Sequence, residues 1–335
     1  MKLSVKKRLK SNIASIGIIA ILFLLPGCYL YQQGKGQLIQ VKSQVSIEQA
    51  IQEEDNPKYK QLLVAVPEIK EFAEQTLLLK RSDTYTSYFK TGKEGVSFVV
   101  TAAKKNKLEP YIWWFPIIGS VPYKGFFNKD DALELERELQ EKGYDTHRFA
   151  APAYSTLGWF DDPITTPMLR RGYFSFAETL FHEMTHSKLY VNGEGDFNEQ
   201  LASFVGEKGA LQYFREKRIF DQSYLDKILK KREQHQRYTQ SVRKYIPELR
   251  DLYSKNLPLD EVLQQREVIF NKLIDDLTIL YPQLPKSRWK FNNAKILQYI
   301  RYQSESPVIK EVWEQGKGDW TVFWAGINKY VKDKF

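Results

Sequence analysis

His182 and His186 are the residues of this chain best spaced to do chemistry together. They lie in Phe181-His182-Glu183-Met184-Thr185-His186, within a run from 173 to 190 that holds no proline and only good or neutral helix formers. On a helix, side chains four residues apart share a face, so both imidazoles can point at one ion. Glu183, one residue along, then stands beside that ion, close enough to take a proton from its bound water. This is the spacing of a zinc-dependent peptide hydrolase, in which the metal polarises a carbonyl and acidifies water while a carboxylate acts as general base. The chain has four histidines in all. Random placement would put two of them in this pattern on the order of one time in a hundred or less. The competing reading is a pair of core histidines satisfied by hydrogen bonds. Phe181, Met184 and Leu189 would bury such a helix and lower the dielectric around the site.

A catalytic zinc generally takes three protein ligands and one water. Downstream of His186 the loop Val191-Asn192-Gly193-Glu194-Gly195 permits a tight reversal into a second helix opening Asp196-Phe197-Asn198-Glu199-Gln200-Leu201-Ala202. Laid back across the first helix, that segment would offer Glu199 as the third ligand. A capping box competes, with Asp196 as N-cap and Glu199 reaching back to it. Glu194, Asp196 and Glu207 are alternative ligands. Asn198 reads as a group that orients Glu199 or closes the helix start. A donor for the developing oxyanion is not singled out: Tyr190, one turn beyond His186, His147 and Tyr154 are candidates, and each reads more readily as ordinary core or surface packing. Ser155-Thr156-Leu157-Gly158 reads as a strand edge able to pair with an extended substrate, with Gly158 allowing close approach and Trp159-Phe160 lining a pocket. It reads as well as a plain strand turning into Asp161-Asp162-Pro163. Removal of N-terminal residues would need an acid to hold the free amine, and Asp161, Asp162 and Glu194 are available without a spacing that selects one.

The elements that must position these groups follow from periodicity. A helical stretch covers about 46–80 with an interruption at Asn56-Pro57. Between 93 and 160 the pattern becomes β-like, at 96–100, 111–118 and 148–159, broken by a helix over 129–142 that opens on Asp130 and Asp131 and stops before Gly143. From 173 onward nearly everything reads as helix. Two long charged amphipathic stretches, about 222–254 and 259–281, form an antiparallel helical hairpin with Leu257-Pro258 in its turn. The expected class is α+β: a small antiparallel β-sheet preceding a mainly helical half with a long helical hairpin. One domain covers 45–335, with its β part at about 93–163, motif helices at about 173–220, and the hairpin and C-terminal part at about 222–335. Asn292-Asn293 reads as a capping or turn pair that could hold the hairpin to the catalytic half.

Composition bounds the rest. A chain of 335 residues that is 42% hydrophobic, with 20 Phe and 20 Tyr, can build a substantial core, and its single Cys excludes an intrachain disulfide. The net charge of +9 draws on Lys2, Lys6, Lys7, Arg8 and Lys10; without those five it is +4. Runs such as Lys104-Lys105 and Lys230-Lys231-Arg232 sit among acids and read as solvated faces, so no nucleic-acid partner is expected. Residues 1–27 have the form of an export signal: a basic start, an apolar run over 13–25 broken only by Ser15 and Gly17, and a small residue before Cys28. Leu25-Pro26-Gly27-Cys28 resembles a bacterial lipobox, with Pro26 unusual at its position. It implies a lipoprotein that begins at an acylated Cys28 and is tethered to the bilayer through 28–44. The alternative is an uncleaved anchor. Tyr29 in place of Asp favours the outer membrane, with the body facing the periplasm.

Taken with the metal motif, these segments resemble the predicted aminopeptidases of the gluzincin type, small bacterial envelope metallopeptidases. The resemblance is carried by the run Ala153-Tyr154-Ser155-Thr156-Leu157-Gly158-Trp159-Phe160-Asp161-Asp162-Pro163, by the motif ending at His186, by Asn198-Glu199 with Ala202, by Phe291-Asn292-Asn293-Ala294, and by Tyr31-Gln32-Gln33 with Gly36-Gln37 after the lipobox. It implies a zincin-like fold, one Zn²⁺ per chain held by His182, His186 and Glu199, Glu183 as general base, and a peptide substrate, the last favouring an aminopeptidase. Only 12 residues separate His186 from Glu199, a shorter insert than in the thermolysin-like enzymes. The alternative function is a non-catalytic envelope binding or assembly lipoprotein that keeps the fold and uses the helical hairpin as its contact surface. The intact Glu183 argues against it.

Overall fold

The computed structural model describes residues 36, 38–115, 119–152, 162–217, 222–303 and 306–335. Cys28, Tyr154, the run Ser155-Thr156-Leu157-Gly158, Trp159, Phe160 and Asp161 lie outside the described residues. The chain divides into two compact units, Met1–Gln44 and Val45–Phe335. The second begins with α1 (Ile47–Glu53) and α2 (Pro57–Gln75), followed by strands β1 (Ser87–Phe89), β2 (Ser97–Ala103), β3 (Trp113–Phe115), β4 (Gly119–Val121) and β5 (Lys124–Phe126). Then come α3 (Lys129–Glu141), β6 (Asp145–Ala151), β7 (Ile164–Thr165), α4 (Thr166–Arg170), α5 (Tyr173–Lys188) and α6 (Gly195–Lys217). The chain continues through α7 (Gln222–Ser254), α8 (Leu259–Leu280), α9 (Asn293–Gln303), α10 (Pro307–Gln315) and α11 (Trp320–Lys334). The architecture is α+β.

Local chemistry sets the boundaries. The break read at Asn56-Pro57 is a helix start: Asn56 Oδ1 accepts from the Lys58 N–H at 3.0 Å, and Pro57 occupies the first helical position, where no N–H is needed. Asn128 caps α3 in the same way at 3.0 Å, ahead of Asp130 and Asp131 at the positive end of the helix.

The β residues expected in one small sheet fall into separate pairings. β2 is central in an antiparallel sheet, with β5 on one side and β6 on the other. Among the described residues β3 and β4 pair only with each other, and β1 pairs in parallel with β7. Pro110 and Pro122, which flank the β3–β4 pair, lack the N–H that a continuous ladder would require.

Alternation along β6 places a helix on each face of its sheet. Thr146 and Arg148 face α3, where they meet Gln140 and Glu136. Asp145 and His147 face the other way, toward α9, whose Asn293 N–H donates to Asp145 Oδ2 at 2.9 Å. A first core joins α2, α5, α6 and α11 through Leu63, Ile69, Phe181, Tyr213 and Phe323. A second joins α7, α8 and α9 through Leu249, Phe270, Leu273 and Ile296. The long helical hairpin is therefore present, and α7 buries residues only from Val242 onward. Among the described residues no helix is long and apolar enough to cross a membrane.

Candidate metal centre

The helix that carries the histidines is α5. It starts after Gly172, which adopts a φ of 82°, a left-handed conformation natural to glycine, and whose carbonyl accepts from Phe176 N–H at 2.8 Å. Phe176, Leu180, Phe181 and Met184 are buried around it, so the helix runs through the core and its motif turn is held on several sides.

Helix α6 crosses close by because two of its residues have no side chain. A Cβ on Gly206 would stand 2.7 Å from the Glu178 carbonyl oxygen and 3.3 Å from His182 Cβ, and one on Gly209 would stand 2.5 Å from Leu77 Cδ1. The reversal between the helices is clamped by Asn198, which is buried and satisfies both polar groups of Val191: its Oδ1 accepts from the Val191 N–H at 2.9 Å and its Nδ2 donates to the Val191 carbonyl at 2.8 Å. Asn198 thus closes the start of α6 and fixes Glu199, its neighbour, against the end of α5. Helix α6 opens at Gly195, before Asp196. Asp196 does not cap Glu199's turn but accepts from Arg301 Nε at 2.8 Å. Glu207, two turns on, is held by Arg232 at 2.6 Å.

The result is a convergence of His182, His186 and Glu199, whose ligand atoms all lie within 4.8 Å of one another. Glu199 Oε2 stands 3.2 Å from His182 Nε2 and 3.7 Å from His186 Nε2, and the two imidazole nitrogens are 3.3 Å apart. Donors at the corners of a tetrahedron, bound at about 2.0–2.1 Å, would be spaced by about 3.3 Å, so the triangle has the dimensions of a metal site before any rearrangement. Glu194 and Glu207 are not part of this cluster.

Electrostatics agree with the geometry. Burial opposes ionisation of Glu199, but the adjoining His186 and His182 rings outweigh it and hold the carboxyl far below the usual carboxylate range. Burial works against a charged His186, yet Glu199 and then Glu183 raise it. Glu183 is pushed up, chiefly by burial and further by Glu199, against the pull of the two histidines. A raised carboxylate beside such a cluster is what a base that must hold and later release a proton requires.

The donors proposed from sequence are divided by the structure. Tyr190 lies with its ring 6.2 Å from that of His186 and feels the Glu199 charge. His147 belongs elsewhere: it sits on the α9 side of β6, where burial and then Lys295 lower its imidazole to about 4, and Gln298 is its hydrogen-bond partner.

Two tyrosines that sequence reading missed feel the charge of the glutamates at the site. Tyr85 is 2% exposed at a φ of 62°, a conformation costly for an aromatic residue. Its N–H donates to the buried Asp162 carbonyl at 2.6 Å, and burial, then Glu183 and Asp162, hold its phenol well above the ordinary range. Lys70 fastens the preceding loop by donating to the carbonyls of Ser82 and Thr84. Tyr302, at the end of α9, is half-buried; burial, then Glu199, Tyr123 and Glu183, raise its phenol. Neither residue has a motif around it, and only the fold brings them within range of these charges.

Fold and cluster together define an α+β chain with two histidines and a glutamate converging at one point beside a second glutamate. Residues 28–334 match the family described as "Putative aminopeptidase", and the chain belongs to that family. No curated protein and no solved structure matches it.

Proposed function

We propose that the protein is a zinc-dependent peptidase of zincin type, and within its family an aminopeptidase, anchored to the cell envelope by acylation of Cys28. The observation that carries this reading is the convergence of His182, His186 and Glu199 within 4.8 Å, with Glu183 next to His182 on the same helix. Two neutral imidazoles and one carboxylate are a donor set that Zn²⁺ takes in hydrolytic enzymes. Bound there, Zn²⁺ would supply Lewis-acid polarisation and water of near-neutral acidity.

The chain's own residues would do the rest. Glu183 takes a proton from the attacking water and gives it to the amine that leaves. Asn198 and the Gly206 contact keep Glu199 at the histidines. The charge of Glu183 acts on the buried Tyr85 phenol. The N-terminal sequence supports export and an outer-membrane, periplasm-facing location.

The test is metal content and cleavage together. The purified chain reloaded with Zn²⁺ should hold about one zinc, and His182→Ala and Glu199→Ala should each lose it, along with hydrolysis of amino-terminal peptide substrates. A chain that retains no zinc after reloading would refute the reading and favour a binding lipoprotein on this fold.

A further inference from the structure

We propose, on the anchoring part of the reading above and independently of the metal site, that the outer face of the β3–β4 hairpin, carrying Ile112 and Trp114, rests on the phospholipid surface of the membrane that holds Cys28. Between Glu109 and Lys124 the sequence has no charged residue, in a chain of which 27% is charged. That run contains Tyr111, Ile112, Trp113, Trp114 and Phe115, and none of them belongs to the metal cluster. Strand alternation divides them between two faces. Tyr111, Trp113 and Phe115 are half-buried, and Val121, which pairs with Trp113, is buried. On the other face Ile112 is 49% and Trp114 69% exposed, and Ser120, opposite Trp114, is exposed as well. Single apolar side chains on a surface need no explanation, but these two are neighbours on one face of a strand within an uncharged run.

The inner face holds the hairpin in place. The Tyr111 N–H donates to the Ala102 carbonyl of β2 at 2.8 Å, and the Tyr111 ring meets Tyr144 edge-on at 5.2 Å and Trp113 at 4.8 Å. The indole of Trp114 is therefore presented from a fixed base. A bilayer surface suits it, because aromatic rings with one polar tip settle at the headgroup level, where the ring leaves water and the tip does not. The turn that leads into β3 carries Lys104, Lys105 and Lys107 against one acid, Glu109, which Lys104 holds; two positive charges are left for anionic headgroups. Among the described residues β3 and β4 have no further strand beside them, so their outer edges need water and the contact stays among the headgroups, short of the hydrocarbon. Residues 29–44 span at most about 55 Å even when fully extended, so an acylated Cys28 keeps the folded body within reach of the surface.

The test uses the full chain produced with its own N-terminus and reconstituted into vesicles of phosphatidylethanolamine with about one quarter phosphatidylglycerol. Phospholipid brominated on its acyl chains quenches the tryptophans it touches, and mass spectrometry records acylation of Cys28 separately. Of the seven tryptophans, one in contact with lipid should give a quenched share of roughly one seventh of the emission. Trp114→Phe should abolish that share. Ile112→Glu, which keeps the fluorophore and puts a charge on the same face, should reduce it at least about threefold. Zinc per chain and hydrolysis in detergent should be unchanged in both variants. Equal quenching in the unaltered chain and Trp114→Phe would overturn the proposal. So would a rise of about tenfold in KM for peptides in Trp114→Phe without lipid quenching in the unaltered chain, which would make the face a substrate contact. A Cys28 without an acyl group would overturn the anchoring reading, and Trp114-dependent quenching in that same chain would leave the hairpin contact standing.

Discussion

Replacing Gly206 by alanine tests whether helix contact assembles the proposed zinc site. The added Cβ would lie 2.7 Å from the Glu178 carbonyl oxygen, against the 3.4 Å at which ordinary contact begins, so α5 and α6 must separate locally by about 0.7 Å. The obstacle is backbone, and no rotamer change relieves it. Glu199 lies two turns from Gly206 on the same face of α6, and its carboxylate is 3.2 Å from His182 Nε2. Metal sites tolerate ligand displacements of only about 0.2 Å, so a shift several times larger should weaken zinc binding, by about 10- to 100-fold on the scale of lost supporting contacts. Overpacking costs about 1–3 kcal/mol, offset by the roughly 0.5–1 kcal/mol that alanine gains over glycine in a helix. The assays are chelator competition for zinc and urea denaturation of the metal-free chain. Gly92→Ala, with nothing within 4 Å, serves as the control. If Gly206→Ala bound zinc as tightly as the unaltered chain and unfolded at the same urea concentration, close helix packing would not be what brings Glu199 to the histidines.

Other expectations follow from the same geometry. Glu183→Gln should keep zinc and lose about 100- to 10,000-fold in kcat, measured by single-turnover hydrolysis, because only the base is removed. His147, lowered to about 4 when folded against 6.5 unfolded, is neutral in the native protein while the unfolded chain takes up a proton, so it destabilises the fold as pH drops from 6.5 to 4 and adds nothing further below that. The loss amounts to at most about 3 kcal/mol, and His147→Gln should flatten that part of a stability-versus-pH curve. Arg266→Met should cost about 3–5 kcal/mol in urea denaturation by stranding Asp145, which it meets at 2.7 Å with both side chains buried; Asp145→Asn in the same chain should recover part of it.

What the sequence made legible was local. The Asn56-Pro57 break, the acidic start of α3 with its stop before Gly143, and the helical hairpin are each written in a few consecutive residues, and the spacing of His182 and His186 follows from one helical turn. Asn198 was readable as a helix closer because its neighbours Gly193 and Gly195 announced a reversal. The influence of the site's charges on Tyr85 and Tyr302 was not readable, since one residue sits on a strained loop and the other on a helix that begins about a hundred residues beyond Glu199. The parallel pairing of β1 with β7 was equally hidden: strands of two or three residues carry no periodicity, and their partners are set by the helices around them.

The Phe291-Asn292-Asn293-Ala294 box gains a physical reason from this arrangement. Asn293 is fully buried, and its Nδ2 meets the carbonyls of Lys104, Lys105 and Lys107, while its Oδ1 accepts from Tyr253 and its N–H donates to Asp145. Arg266 of α8 joins the same carboxylate and also donates to the Lys105 carbonyl. One asparagine therefore fastens the sheet, the helical hairpin and the start of α9 at a single point, and no other side chain of its size offers both the donors and the acceptor. Because the far end of α9 is tied to Asp196 and Gln200, the orientation of that helix at Glu199 is set by a junction at its opposite end. Asn293→Leu should accordingly keep the hairpin's own helices yet loosen α9 where it meets Asp196 and Gln200, weakening zinc binding at Glu199 as read by chelator competition. A variant that bound zinc as tightly as the unaltered chain would show that the junction at Asn293 does not set the position of Glu199.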